Sequence, residues 1–210
     1  MNKSALSEIF SDVALKNKIK DKLPYLFQLA ELESSRAGKL GMEVGSARER
    51  VIIALLMHKF GEKNVKTDVP ITKAETDVLL FDEPISIKTM TGNKLGPVKL
   101  IWTVDAKKAL EFSKNYNPSV DILLAHINWD GEGAFYFFPA KEQMSILKKI
   151  GRENYIKLPK QGTNPRGVEM TGEAIDLLAK ATGTQKVDIF WKRQKIDFNP
   201  YTKWVEHWEK

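Results

Sequence analysis

The chain opens with apolar residues at helical spacing. From Ser4 to Lys20, Leu6, Ile9, Phe10, Val13 and Ile19 share one face, which predicts an amphipathic helix. Pro24 opens a second predicted helix, "PYLFQLAELESSR", because proline suits a first helical turn. A glycine-rich connector follows over 37–46, and Ser46 starts a third helix, "SARERVIIALLMHKF", stopped by Gly61. The period then changes. "NVKTDVPI", "TDVLLF" and "PISIKT" alternate as short strands joined by tight turns, with a fold-back at "DEP".

Beyond the loop "TGNKLGP", residues 105–116 form a helix capped by Asp105. "VDILLAHINW" and "GAFYFFPA" form a hairpin across Asp130-Gly131, a pair suited to tight turns. "KEQMSILKKIG" and "TGEAIDLLAKATG" are short helices separated by the polar loop "LPKQGTNPRGVEM". "KVDIFWKRQKIDF" is a late strand, and "YTKWVEHWEK" an amphipathic C-terminal helix suited to packing or to a dimer interface. Helices, then a strand meander, then further helices and strands read as an α/β fold: a mixed sheet flanked by helices, with an N-terminal helical segment over 1–40.

At 210 residues, one domain is expected, with a core at 46–128 and recognition and dimerisation elements in 129–210. The longest apolar run, Val51 to Met57, is too short to span a bilayer. The first residues lack a signal-peptide pattern, and there is no cysteine, so a cytoplasmic location is expected and thiolate metal sites are excluded. Thirty-three basic residues against 27 acidic give a net charge of +6, which favours a polyanionic partner. The three histidines are scattered without zinc spacing, and no phosphate-loop or dinucleotide glycine motif is present.

The informative stretch is "ETDVLLFDEPISIKT", residues 75–89. Strand alternation puts Asp77, Leu79 and Phe81 on one face, and Ser86 and Lys88 on one face. The fold-back brings Asp77 beside Lys88. A carboxylate and an ammonium at a sheet end suit metal-assisted phosphodiester hydrolysis, in which the carboxylate holds Mg²⁺ and the lysine positions water and balances charge on phosphate. The same residues also fit an exposed hairpin with an ordinary ion pair, worth about 0–1 kcal/mol.

Here the chain resembles the PD-(D/E)XK nuclease superfamily, whose core is a glutamate-bearing helix, a hairpin with an aspartate, and a strand with an acidic residue, any residue, and lysine. "SARERVIIALL" stands for the helix, Asp77 for the aspartate, and Ser86-Ile87-Lys88 for the last element. The resemblance covers roughly 46–128. It implies Asp77, Lys88, Glu49 and Ser86 as catalytic positions, and Asp77, Ile87, Glu49 and Glu75 as metal ligands. Ser86 departs from the pattern, and Glu49 or Glu75 would then supply the missing carboxylate. Glu49 also fits a capping box begun by Ser46.

Gln161, Thr163, Asn164 and Arg166 lie on a Pro/Gly-opened loop and have the chemistry for reading bases. Lys192 and Arg193 in "WKRQK" fit phosphate contacts or a charged edge strand. Arg48 at the third helix start fits a solvated face or a phosphate contact. Met42, among glycines, is either an apolar wedge between base steps or a core residue. The reading is a Mg²⁺-dependent restriction-type endonuclease, acting as a homodimer on double-stranded DNA. The alternatives are a junction-resolving or repair nuclease on the same core, and a DNA-binding protein without catalysis.

Overall fold

The computed structural model describes residues 4–36, 39–41, 43–70, 75–159 and 167–209. The first helix is broken sooner than its periodicity implies. α1 (Ser7–Ser11) ends at Asp12, whose extended backbone and carboxylate, accepting from Leu15 N at 3.0 Å, start α2 (Val13–Glu33). Pro24, expected to open a helix, instead lies inside α2. A small hairpin, β1 (Ser35–Arg36) and β2 (Lys39–Leu40), precedes α3 (Val44–Phe60).

The central sheet has the order β11-β8-β7-β5-β4-β3, built from β3 (Val65–Lys66), β4 (Val78–Leu80), β5 (Glu83–Thr91), β7 (Asp121–Ile127), β8 (Glu132–Phe138) and β11 (Gln185–Phe190). β6 (Val98–Ile101) belongs to a second sheet, with β9 (Ile156–Lys157) and β10 (Val168–Met170). The central sheet is mixed: β5 and β7 run parallel, and its other pairs are antiparallel. The β4–β5 turn comes one residue earlier than "DEP", because Phe81 and Asp82 both adopt positive φ, at 51° and 67°.

Alternation along β7 separates two cores. Leu123, Ala125 and Ile127 join α1, α2 and α3 on one face. Ile122 and Leu124 join α4 (Ala106–Asn115), α5 (Ala140–Ile150) and α7 (Gly172–Ala179) on the other. The short α6 (Arg152–Tyr155) and the C-terminal α8 (Thr202–Trp208) complete the α-helices among the described residues. The expected Asp105 cap and the Asp130-Gly131 hairpin are both present, with Asp130 at φ 60°.

Three stretches differ from the pattern reading. Val168–Met170, placed in the polar loop, forms strand β10, and Val168 and Met170 are fully buried against β6. β6 itself escaped the alternation reading, because only Lys99 interrupts its apolar run. "KVDIFWKRQKIDF" stops being strand at Phe190, so Lys192 and Arg193 follow the edge strand rather than form it.

Candidate active site at the end of strand β4

The site forms where β4 ends and β5 continues. Asp77 lies one residue before β4, and its amide donates to Ile85 O at 2.9 Å. From there the pairing passes from backbone to side chain. Asp77 Oδ2 accepts from Ile87 N at 2.6 Å, Ser86 Oγ at 3.1 Å and Lys88 Nζ at 3.3 Å. Three donors on one oxygen fix the carboxylate, and the site is partly shielded: the Lys88 and Asp77 side chains are 16% and 25% exposed.

Ile85 and Ile87 point into the first core, so Ser86 and Lys88 occupy the opposite face of β5. The Ile87 side chain is fully buried, which leaves only its main chain for any ligand role. A strand residue presents N–H and C=O to the same edge. Because Ile87 N faces Asp77, its carbonyl lies on that same edge, beyond the last β4 pairing.

Glu49 approaches from α3, in the layer of the first core. Burial, and secondarily the Asp77 charge, push its carboxyl above the usual range, against the pull of Lys88 and Arg50. The capping-box expectation is corrected: α3 begins at Val44 with Glu43 at its N-cap, so Ser46 and Glu49 are interior helical positions. The helix starts early because residues 44–50 hold no proline and only one glycine, so nothing breaks the period before Ser46.

Glu75 approaches from the second core's side. Burial raises it to about 7, although Lys88 and a hydrogen bond from Tyr116 favour its charged form. Tyr116, itself pushed far above its usual value chiefly by burial, escaped the sequence reading because nothing local marks it. Glu75 and Tyr116 help to line an open groove of about 430 Å³, with Lys108, Glu111, Phe112 and Asn115 of α4. Among the described residues, no three acidic or histidine side chains converge as a metal cluster.

The proposed DNA contacts separate. Arg48, expected on an exposed helix face, is instead 5% exposed and ion-paired with Glu31, so it has no open face for a phosphate. Arg193 is half exposed and also reaches Glu31. Lys192 is exposed. Met42, Gln161, Thr163, Asn164 and Arg166 lie outside the described residues.

Restriction endonuclease ThaI is the family that matches this chain, over residues 9–210. A solved structure described as a restriction endonuclease in complex with substrate DNA superposes with a TM-score of 0.90 at 53% identity, covering 97% of this chain and 98% of the other. No curated protein matches significantly.

Proposed function

The chain belongs to the restriction endonuclease ThaI family, and on that premise we propose how its own residues cut DNA. It is a type II site-specific deoxyribonuclease that hydrolyses phosphodiester bonds in DNA. Asp77 carries the reading: a partly shielded carboxylate bonded to Lys88 at the open end of β4, with Glu49 close enough to feel its charge.

The donor set fits Mg²⁺. That ion takes oxygen ligands, keeps several waters, and needs only one or two carboxylates from the protein. Asp77, Glu49 and the Ile87 carbonyl would hold it, with Glu75 as the further carboxylate in place of an acidic residue at Ser86. Two carboxylates close enough to raise one proton affinity are the arrangement that a dication relieves. When bound, the metal polarises the phosphate and acidifies a water. Lys88 orients that water and balances charge growing on the phosphate oxygens. Ser86 and the Ile87 amide hold Asp77 in place throughout.

Lys192 and Arg193, and on their sequence pattern Gln161, Thr163, Asn164 and Arg166, are the proposed DNA contacts. We assign Met42 to the DNA side as well, on its sequence position. Homodimer formation is supported by α8 and its N-cap, where Trp208 and Tyr201 are 91% and 69% exposed, the kind of apolar surface that marks a protein interface.

Incubation of the purified chain with plasmid tests the function. Discrete bands with Mg²⁺ and intact plasmid with EDTA are expected. Intact plasmid in both overturns the catalytic assignment, and an unbanded smear overturns the site-specific reading. Sedimentation at micromolar concentration tests the dimer separately.

A further inference from the structure

We propose that Glu31, far from the motif in sequence, is a positioning residue that ties the basic segment after β11 to the helix carrying Glu49. This rests on the DNA-cleavage reading above. Glu31 is 4% exposed in the last turns of α2 and is shared by three donors. Its Oε1 accepts from Arg48 and from Trp129 Nε1, the latter at 2.9 Å. Its Oε2 accepts from Arg193 Nη2 at 3.4 Å.

The two arginines differ in what they can do. Arg48 is buried and its Nε has no hydrogen-bond partner, so its guanidinium depends on Glu31 for compensation. It immediately precedes Glu49 on α3, so the Arg48–Glu31 bond sets how that helix sits against α2. Arg193 is 47% exposed, and its guanidinium stacks over the Trp129 ring at 4.4 Å. Trp129 in turn meets the fully buried Trp191 edge-on at 5.8 Å.

The backbone around Arg193 is clamped, although it lies past the last strand. Arg193 N donates to Asp130 Oδ1 at 3.1 Å. Gln28 on α2 forms a reciprocal pair with Gln194: its Nε2 donates to Gln194 O at 2.7 Å, and its Oε1 accepts from Gln194 N at 2.9 Å. An irregular segment bearing Lys192, Arg193 and Lys195 is thus held on the helix that also anchors α3.

Arg48 and Arg193 meet two carboxylates, Glu31 and Asp130, so with Lys192 and Lys195 on the same segment the cluster carries an excess positive charge. The half-exposed Arg193 presents that charge, and its planar fork keeps donors for a phosphate oxygen. A backbone phosphate is the ligand chemistry that would complete it. A phosphate on Arg193 then bears on Glu31 and, through Arg48, on the orientation of Glu49. Binding would fix not only DNA on the protein but also the catalytic helix.

The test is Arg193→Ala, which leaves the buried Arg48–Glu31 pair intact, assayed by steady-state cleavage of a DNA duplex bearing the recognised site. A phosphate contact alone raises KM and leaves kcat unchanged. Positioning also lowers kcat at saturating DNA, by roughly tenfold to a hundredfold, the scale of a misplaced catalytic group. Arg193→Lys keeps the charge but not the fork and should recover affinity more fully than kcat. Glu31→Gln, if it folds, should share the kcat loss. An unchanged kcat in Arg193→Ala overturns the inference while leaving the nuclease assignment in place. An inactive wild-type chain would instead remove that assignment itself.

Discussion

Replacing Asp77 separates its two duties, because asparagine keeps its shape and alanine does not. Asp77 Oδ2 is the acceptor for Ile87 N at 2.6 Å, at a point where β4 no longer supplies a carbonyl. It is also the acceptor for Ser86 Oγ, on a residue only 3% exposed. Alanine leaves both donors unsatisfied, at about 1–3 kcal/mol each, so a loss of roughly 2–6 kcal/mol is expected. Asparagine still accepts from Ile87 N and loses only the charge assistance, about 1 kcal/mol. For a chain of this size, 1 kcal/mol moves Tm by about 2–4 °C, so Asn should melt a few degrees low and Ala roughly 4–24 °C low. Cleavage should fall in both by about a hundredfold or more, because each loses the carboxylate that faces Lys88. Thermal melting and plasmid cleavage on the same preparations give both numbers. An Asn variant that cleaves at the wild-type rate refutes the active-site assignment. An Ala variant that melts with the Asn variant refutes the structural role.

Glu49→Gln should abolish cleavage without lowering Tm, because Glu49 caps nothing and its charged form is already penalised by burial and Asp77; a melting loss with normal cleavage would reverse that assignment. Glu75 gives a pH signature: with its carboxyl raised from 4.5 to about 7, the folded chain holds a proton that the unfolded chain has lost. Its stability contribution is therefore complete below about 4.5 and lost as pH rises through about 7, and Glu75→Gln should flatten the wild-type decline in Tm over that window. Ser86→Asp restores the acidic residue of the nuclease pattern, but sets a second carboxylate beside Asp77 Oδ2, where the serine hydroxyl now lies at 3.1 Å. It should lower Tm in EDTA and regain more than wild type on adding Mg²⁺, and an equal Mg²⁺ response would separate position 86 from the metal site.

The parts of the fold legible in the sequence are those governed by local rules. The Asp105 cap, the Asp130-Gly131 turn and the strand alternation of residues 77–88 each depend on neighbours within a few positions. So does the Asp77–Lys88 approach, because a tight turn leaves a hairpin little choice of partner. What was missed depends on distant partners. Arg48 looks like a surface charge until α2 supplies Glu31, 17 residues away. Tyr116 reads as the end of a helix until the fold places it against Glu75. β10 reads as loop because its three residues form a strand only when β6 and β9 flank them. Pro24 misled for a related reason: a proline marks a helix start on local grounds, yet α2 runs through it, with Leu23 and Phe27 buried on either side.

The position of the site follows from how the sheet ends. A strand that stops short leaves its neighbour's amides and carbonyls unpaired, which is costly in a half-buried setting. Here β4 begins only at Val78, opposite Ile85, and β5 continues past that point to Thr91. The Asp77 side chain replaces the missing carbonyl for Ile87 N, so the carboxylate is held by the same bond that closes the ladder. That leaves an edge rich in oxygen, with Lys88 as its nearby cation, Glu49 approaching from α3 and Glu75 from the turn before Asp77. Serine at position 86 fits this economy. A carboxylate there would repel Asp77 in the absence of a metal, whereas the Ser86 hydroxyl supports it. On the proposed assignment, the charge that the nuclease pattern sets at position 86 comes instead from another element of the fold.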